Sequence, residues 1–238
     1  MRINRLDPPS GDAVHVWYAD LDTAHCHGAA PLDALSADER QRAARYRDET
    51  LRRRAAIATA VLRTLLGGYL GVAPAGVAIE RRCRSCGGPH GALHAGLPGA
   101  PETLDVSTSR SGPLTLYAVS PSGRVGVDVE LRDPAFDWAT AARTAFHAEE
   151  ISALGLPASG GWSDRCFELW TRKEAYLKAI GTGLAAEPSS VMVPRDGWTV
   201  AAPDVGAGYA AALVAEGSCT ITVTDVVGAL TPTPGPSP

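Results

Sequence analysis

The chain has 238 residues, 45% of them apolar and 20% charged, with a formal net charge of −4. That length supports one large domain or two of about 120 residues each, and the balance is that of an ordinary soluble globule. No run approaches the roughly 18 apolar residues of a membrane span, and Met1 to Ser10 lack the apolar core of a signal peptide. Five cysteines, an odd count, fit reduced thiols in a cytoplasmic protein better than a disulfide framework.

Val14 to Ala19 reads as a short strand. Ser36-Ala-Asp-Glu39 has capping-box spacing, so a helix starts there. Helical sequence runs on, with a break near Asp48, through Leu51, Ala55, Ala58, Leu62, Leu65 and Tyr69, an apolar stripe that Gly67-Gly68 weaken and Gly71 ends. On its other side Arg47 and Arg54 lie seven apart, two turns along one face. Between Arg40 and Arg84 stand eleven arginines against three acids, while from Arg124 onward there are eight basic residues against fourteen acids. One half thus suits anionic groups and the other a cation; a solvated arginine face is the plainer reading of the first. Nucleic-acid binding ranks low, given few aromatics and an acidic total.

Arg81 to Glu102 is rich in glycine and proline and reads as loop. Leu114–Ser120 and Arg124–Glu130 read as strands joined by Ser120-Pro-Ser-Gly123 as a type I turn, hence a β-hairpin. Asp137–Phe146 and Ala148–Leu154 are helical, followed by a strong helix from about Ser163 to Ile180 capped by Gly181. Val191–Val193, Trp198–Ala201, Tyr209–Ala215 and Thr220–Val226 suggest a closing antiparallel meander, and the proline-rich tail 231–238 reads as disordered.

The segment Arg124-Val-Gly-Val-Asp-Val-Glu130 carries the sharpest chemical signal. Alternation puts Val125, Val127 and Val129 on one face, and Gly126, Asp128 and Glu130 on the other. Two adjacent carboxylates need a cation or donor between them, and a hard divalent ion suits such oxygens; an edge strand with two solvated acids stays open on spacing alone. Only Lys173 and Lys178 among the 22 basic residues are lysine, and both fall on one helix. There Phe167, Trp170, Glu174 and Lys178 share a face, which allows either an ordinary Glu174–Lys178 pair or a third oxygen ligand beside an anion-neutralising lysine.

Gly126-Val-Asp-Val-Glu130, followed from Phe167 by Phe-x-x-Trp-x-x-Lys-Glu-Ala-x-x-Lys-x-x-Gly-x-Gly-Leu184, resembles the signature pair of the 4′-phosphopantetheinyl transferase superfamily. The size resembles the broad-specificity, pseudo-dimeric type that serves polyketide and nonribosomal peptide synthetases. Weaker likeness extends to Arg47, Arg54, His90-Gly91 and Thr108-Ser-Arg-Ser-Gly112. The resemblance implies an α+β fold: two similar halves about a pseudo-twofold axis, mostly antiparallel strands with a long helix packed in each. Residues 1–122 would bind coenzyme A phosphates and 123–230 would carry metal and catalysis, with the coenzyme between them in a monomer. It implies transfer of 4′-phosphopantetheine from coenzyme A to a serine of an apo acyl- or peptidyl-carrier protein, releasing 3′,5′-ADP. Asp128, Glu130 and Glu174 would bind Mg²⁺, or Mn²⁺ in its place. Glu174, directly or through water, would be the base, and Lys178 would stabilise or protonate the departing phosphate. Lys173, Arg47, Arg54, His90 and Arg110 would contact phosphates. Two departures stand out: His90-Gly-Ala-Leu93 lacks the lysine of the usual His-Gly-Lys-Pro-like turn, and Ser109-Arg-Ser111 replaces Ser-His-Ser.

Two further readings stand beside it. One is a coenzyme A-binding protein without turnover, supported by the missing lysine. The other is a zinc-stabilised interaction module, supported by Cys83-x-x-Cys86 with His90, His94 and the His25-Cys26-His27 run, although a structural zinc needs four ligands. Glu150 reads as an exposed helix acid, Ser107 and Ser109 lack a base, and Trp162, Phe167 and Trp170 read as core.

Overall fold

In the computed structural model the described residues are 5–23, 32–83, 86–88, 91–100, 103–157, 159–182, 187–193 and 196–226. They form an α+β protein of nine strands and five α-helices in four layers. In the first layer, helix α1 (Ala37–Ala44) starts with the expected capping box, Ser36 and Glu39 each satisfying the other's backbone N–H. The chain breaks and restarts at Asp48, whose carboxylate caps α2 (Glu49–Leu70), and Gly71 in a left-handed conformation ends it.

The second layer is a six-stranded sheet in the order β2 (Ala78–Arg82), β3 (Ala92–Gly96), β4 (Thr103–Ser111), β5 (Leu114–Ser120), β1 (Ala13–Asp20) and β9 (Thr220–Asp225). The third is a three-stranded sheet in the order β6 (Val125–Leu131), β8 (Tyr209–Glu216) and β7 (Trp198–Ala201). Helix α5 (Trp162–Ile180), with the short α3 (Trp138–Ala145) and α4 (Ala148–Leu154), covers its outer face. All pairings are antiparallel except β1 with β9.

Alternation assigns the cores. Trp17, Tyr117 and Val119 face α2 and pack on Ile57, Val61, Leu65 and Tyr69, while Val14, Val16, Leu114 and Leu116 face the other sheet and meet Val125, Val127, Val129 and Leu213. Burying each such side chain contributes about 1.5–3 kcal/mol. The three valines of β6 therefore lie between the sheets, and Gly126, Asp128 and Glu130 face α5, as the alternation requires.

Four expectations are corrected. β5 and β6 do not pair: β5 is hydrogen-bonded by β4 and β1, so the turn at 121–124 carries the chain into the other sheet, where β6 finds β8. The stretch expected as loop, from Arg81 on, holds the end of β2 and all of β3, a hairpin extending the first sheet. The closing strands are no meander, because β9 leaves β8 and runs parallel to β1 at the first sheet's edge, across the expected boundary. Residues 191–193 are not a strand; the carbonyls of Pro188 and Val191 instead accept from Lys173. The 231–238 tail lies outside the described residues, as do His25, Cys26, His27, His90 and Leu184.

Candidate active site

Gly126 is where strand and helix touch. A β-carbon there would lie 1.9 Å from the Ala175 carbonyl oxygen and 2.7 Å from the Ala179 nitrogen, so only glycine lets the backbone of α5 lie against β6. That approach sets Glu174 and Lys178 beside the carboxylates of β6. Lys178 Nζ donates to Asp128 Oδ1 at 2.7 Å, to Ser109 Oγ at 2.9 Å and to the Val127 carbonyl at 3.1 Å. The helix-internal Glu174–Lys178 pair is therefore not the contact that forms.

The free edge of β6 is held by serines of β4. Val127 N–H donates to Ser107 Oγ at 3.0 Å and Leu131 N–H to Ser111 Oγ at 2.9 Å. The hydroxyl of Ser109 donates to Asp128 Oδ1 at 2.7 Å and that of Ser111 to Glu130 Oε2 at 2.9 Å. Sequence reasoning weighed Ser107 and Ser109 as nucleophiles and noted Ser109-Arg-Ser111 as a departure from Ser-His-Ser, without giving these hydroxyls a positioning role. The signal that finds them is serine at every second position of one strand, 107, 109 and 111, which lines one face with donors.

Asp128 and Glu174 are 3% and 7% exposed, yet Asp128 Oδ2 and Glu174 Oε1 have no hydrogen-bond partner among the described residues. A buried carboxylate oxygen without a partner is costly. Burial pushes all three carboxyls above their ordinary range. For Glu130 and Glu174 the charge of Asp128 adds to burial, while Lys178 works against the rise at all three. The three carboxylates thus share one electrostatic environment. They are not a preformed coordination shell: among the described residues no group of three or more His, Cys, Asp or Glu is arranged to hold an ion. The unpartnered oxygens and their mutual repulsion nonetheless fit a hard divalent cation.

Lys178 also lines a cleft of about 630 Å³ and an adjoining one of about 330 Å³. Arg42, Arg45 and Tyr46, Arg81 of β2 and Arg110 of β4 line the larger; Arg81 and Thr108 line both. Arg110 donates to Tyr46 Oη at 3.2 Å and sits 5.7 Å from its ring centroid. The expected phosphate contacts Arg47 and Arg54 are not among the lining side chains. Arg47 precedes α2, so the two do not share a helix face, and the Arg54 guanidinium forks onto both oxygens of Asp22. The cations that do face the cleft lie nearby in sequence, on α1, on the linker after it and on a strand read as loop.

The structure does not bring Lys173 to this cluster. Its fully buried ammonium contacts Glu150 Oε2 at 2.5 Å, the Pro188 carbonyl at 3.0 Å and the Val191 carbonyl at 2.5 Å, which uses all three donors. Glu150, read as an exposed acid, is its counterion and also accepts from the His147 N–H at 2.8 Å. Trp162 and Phe167 are core as expected, and half-buried Trp170 packs against the same aromatic cluster. His94 pairs with Asp105 at 2.9 Å.

A cleft walled by cations and ending on buried carboxylates has a charge pattern that suits a polyanionic ligand. Residues 124–224 match the family model described as the 4′-phosphopantetheinyl transferase superfamily. The chain is 34% identical over 174 residues to the 4′-phosphopantetheinyl transferase HetI of a Nostoc species, an alignment covering 73% of this chain and 71% of HetI. It is 31% identical over 191 residues to a phosphopantetheinyl transferase of a Thraustochytrium species, covering 74% of this chain and 63% of that protein. With the 4′-phosphopantetheinyl transferase of Bacillus subtilis it shares 27% identity over 175 residues, covering 74% of this chain and 70% of that protein. The chain belongs to the 4′-phosphopantetheinyl transferase superfamily.

Proposed function

We propose that the protein transfers 4′-phosphopantetheine from coenzyme A to a serine hydroxyl of an apo acyl- or peptidyl-carrier protein, releasing 3′,5′-ADP and using Mg²⁺. The observation that carries this reading is the pair of buried, unpartnered oxygens, Asp128 Oδ2 and Glu174 Oε1, beside a cleft rich in arginine. Within it, residues 1–122 supply most phosphate contacts and 123–230 supply the carboxylates, β9 returning to the first sheet. Both walls come from one chain, which suits a monomer. The partners in this reading are carrier proteins of polyketide or nonribosomal peptide assembly.

Asp128, Glu130 and Glu174 would hold the ion. Mg²⁺, when bound, neutralises pyrophosphate charge and polarises the phosphorus under attack. Arg42, Arg45 and Arg110 orient the phosphates of the coenzyme in the cleft. Glu174 accepts the proton of the serine hydroxyl, whose oxygen forms the new bond to phosphorus as the pyrophosphate P–O bond breaks. Lys178, at the meeting of the two cavities, places its positive charge where the leaving 3′,5′-ADP phosphate develops negative charge. Ser109 and Asp128 hold its ammonium in place.

The test is incubation of the protein with Mg²⁺, coenzyme A and an apo carrier protein. A phosphopantetheine mass gain on the carrier, absent with Glu174→Gln, is expected. Coenzyme binding without a gain on any carrier overturns the transferase and leaves a coenzyme A-binding protein.

A further inference from the structure

Gly91 and the start of β3, Ala92-Leu93, line the smaller cavity and carry no cationic side chain. The neighbouring strand does. Arg81 lies on β2 opposite Leu93 of β3, and its Nη1 donates to the Gly91 carbonyl at 3.0 Å, so the guanidinium reaches along this segment. It lines both cavities, a position shared only with Thr108 and Lys178 among the described lining residues.

It differs from the arginines that are tied to acids. Arg63 pairs with Glu39, Arg54 with Asp22, Arg124 with Glu216 and Arg132 with Asp164 and Glu168. Arg81 has no carboxylate within 4.0 Å among the described residues, and one carbonyl occupies one of its five N–H donors. Burial and the charge of Arg42 both make its cationic form costlier than in water. The one acid lining the larger cavity, Glu39, is already engaged by Arg63 and by the Ser36 N–H. Two guanidiniums held near each other without an acid form a site for a shared anion, and their forked donors match phosphate oxygens.

We infer that Arg81 is a phosphate-binding residue that joins the two lobes of the cleft, acts with Arg42, and supplies the charge that the segment at Ala92 lacks. The ligand class is a phosphate or diphosphate ester; that it belongs to coenzyme A rests on the reading above.

Calorimetric titration of the full chain with coenzyme A tests this, comparing wild type, Arg81→Gln, the double variant Arg81→Gln/Ala92→Lys, and Arg82→Gln. Arg82 is the control, a 66%-exposed side chain on the same strand whose partner is Glu80. A hydrogen-bonded charge on phosphate corresponds to a loss of about tenfold or more in affinity for Arg81→Gln. The lysine at 92 should recover most of it, and Arg82→Gln should stay within about twofold, since exposed pairs contribute little. A coenzyme affinity for Arg81→Gln within twofold of wild type, in protein that unfolds at the wild-type temperature, overturns the assignment. So does an equal loss in Arg82→Gln. If wild type binds coenzyme A but modifies no carrier, the transferase reading fails and Arg81 stands on its binding loss. If wild type binds no coenzyme A, inorganic pyrophosphate is the probe, and an unchanged affinity in Arg81→Gln refutes the site.

Discussion

Gly126→Ala adds a single methyl group, and the structure says where it goes. The new carbon would meet the Ala175 carbonyl oxygen at 1.9 Å and the Ala175 carbonyl carbon at 2.9 Å, both backbone atoms of α5. No rotamer relieves a clash with a helix backbone. To reach an ordinary contact of 3.4 Å the helix must retreat by about 1.5 Å at this point. Overpacking of this kind costs roughly 1–3 kcal/mol, which in a chain of this length lowers Tm by about 2–4 °C per kcal/mol. The effect on chemistry is larger than that on stability. Glu174 precedes Ala175 and Lys178 precedes Ala179, so both move with the retreating turn. A misplacement of about 1 Å costs on the order of 10²-fold in rate. The arginines of the cleft stand on other elements and keep their places. The expected phenotype is therefore a folded protein that still binds coenzyme A through the arginines, with carrier modification at saturating coenzyme slowed about a hundredfold, read by mass spectrometry of the carrier. Activity within twofold of wild type would refute the close approach of α5 to β6 as the device that sets the site.

Lys173→Met leaves Glu150 without its cation in a largely buried place; loss of about 3 kcal/mol is expected, with Tm falling by roughly 6–12 °C and KM for coenzyme A unchanged. A tenfold rise in KM at constant Tm would show instead that Lys173 touches the ligand. His15 is held below its ordinary 6.5 by burial beside Tyr69, whose hydroxyl lies 2.8 Å from Nδ1. The unfolded chain then binds the proton more readily than the folded one, so stability rises with pH from the depressed folded value up to 6.5. Urea unfolding between about pH 5 and about pH 7 should show that slope in wild type and lose part of it in His15→Gln; identical slopes contradict the assignment. Saturating Mg²⁺ should raise the Tm of wild type, the linkage being about 2.7 kcal/mol at a hundredfold excess over Kd, and should leave Asp128→Asn/Glu174→Gln unmoved. An unmoved wild type would remove the ion from the three carboxylates.

Local chemistry was legible in this sequence wherever one element decides it. The capping box at Ser36, the restart at Asp48 and the alternation in β6 all depend on residues within a few positions, and the structure agrees with each. Pairing was not legible, because a turn such as Pro121-Ser-Gly123 reverses the chain without choosing its partner. β5 is buried along its whole length and paired on both edges, which leaves β6 no place beside it. The end of β2 and all of β3 hid in a stretch whose glycines and prolines outweighed their short alternation. The helix wheel already contained one correction. Lys173 and Lys178 are five residues apart, about 140° around α5, so one ligand does not easily receive both, whereas Glu174 and Lys178 differ by about 40°. The cleft arginines were misassigned for a related reason: seven-residue spacing places Arg47 and Arg54 on one face only if a single helix holds both, and the cap at Asp48 separates them.

The two charged regions are each incomplete in the same way. On α5 and β6, three carboxylates lie close enough for the charge of Asp128 to raise the other two, and the single cation Lys178 does not satisfy Asp128 Oδ2 or Glu174 Oε1. In the cleft, Arg42 and Arg81 line one cavity, each raises the cost of the other's charge, and neither has a carboxylate partner among the described residues. Direct contact between the regions would relieve both, yet apart from Lys178 on Asp128 the fold holds them apart across an open cavity. A divalent cation alone relieves the first region and a polyanion alone relieves the second. A phosphate ester that carries its own divalent ion relieves both at once, with Lys178 at the point where they meet. Binding of ion and ester should therefore be mutually reinforcing, each raising the affinity for the other by the same factor.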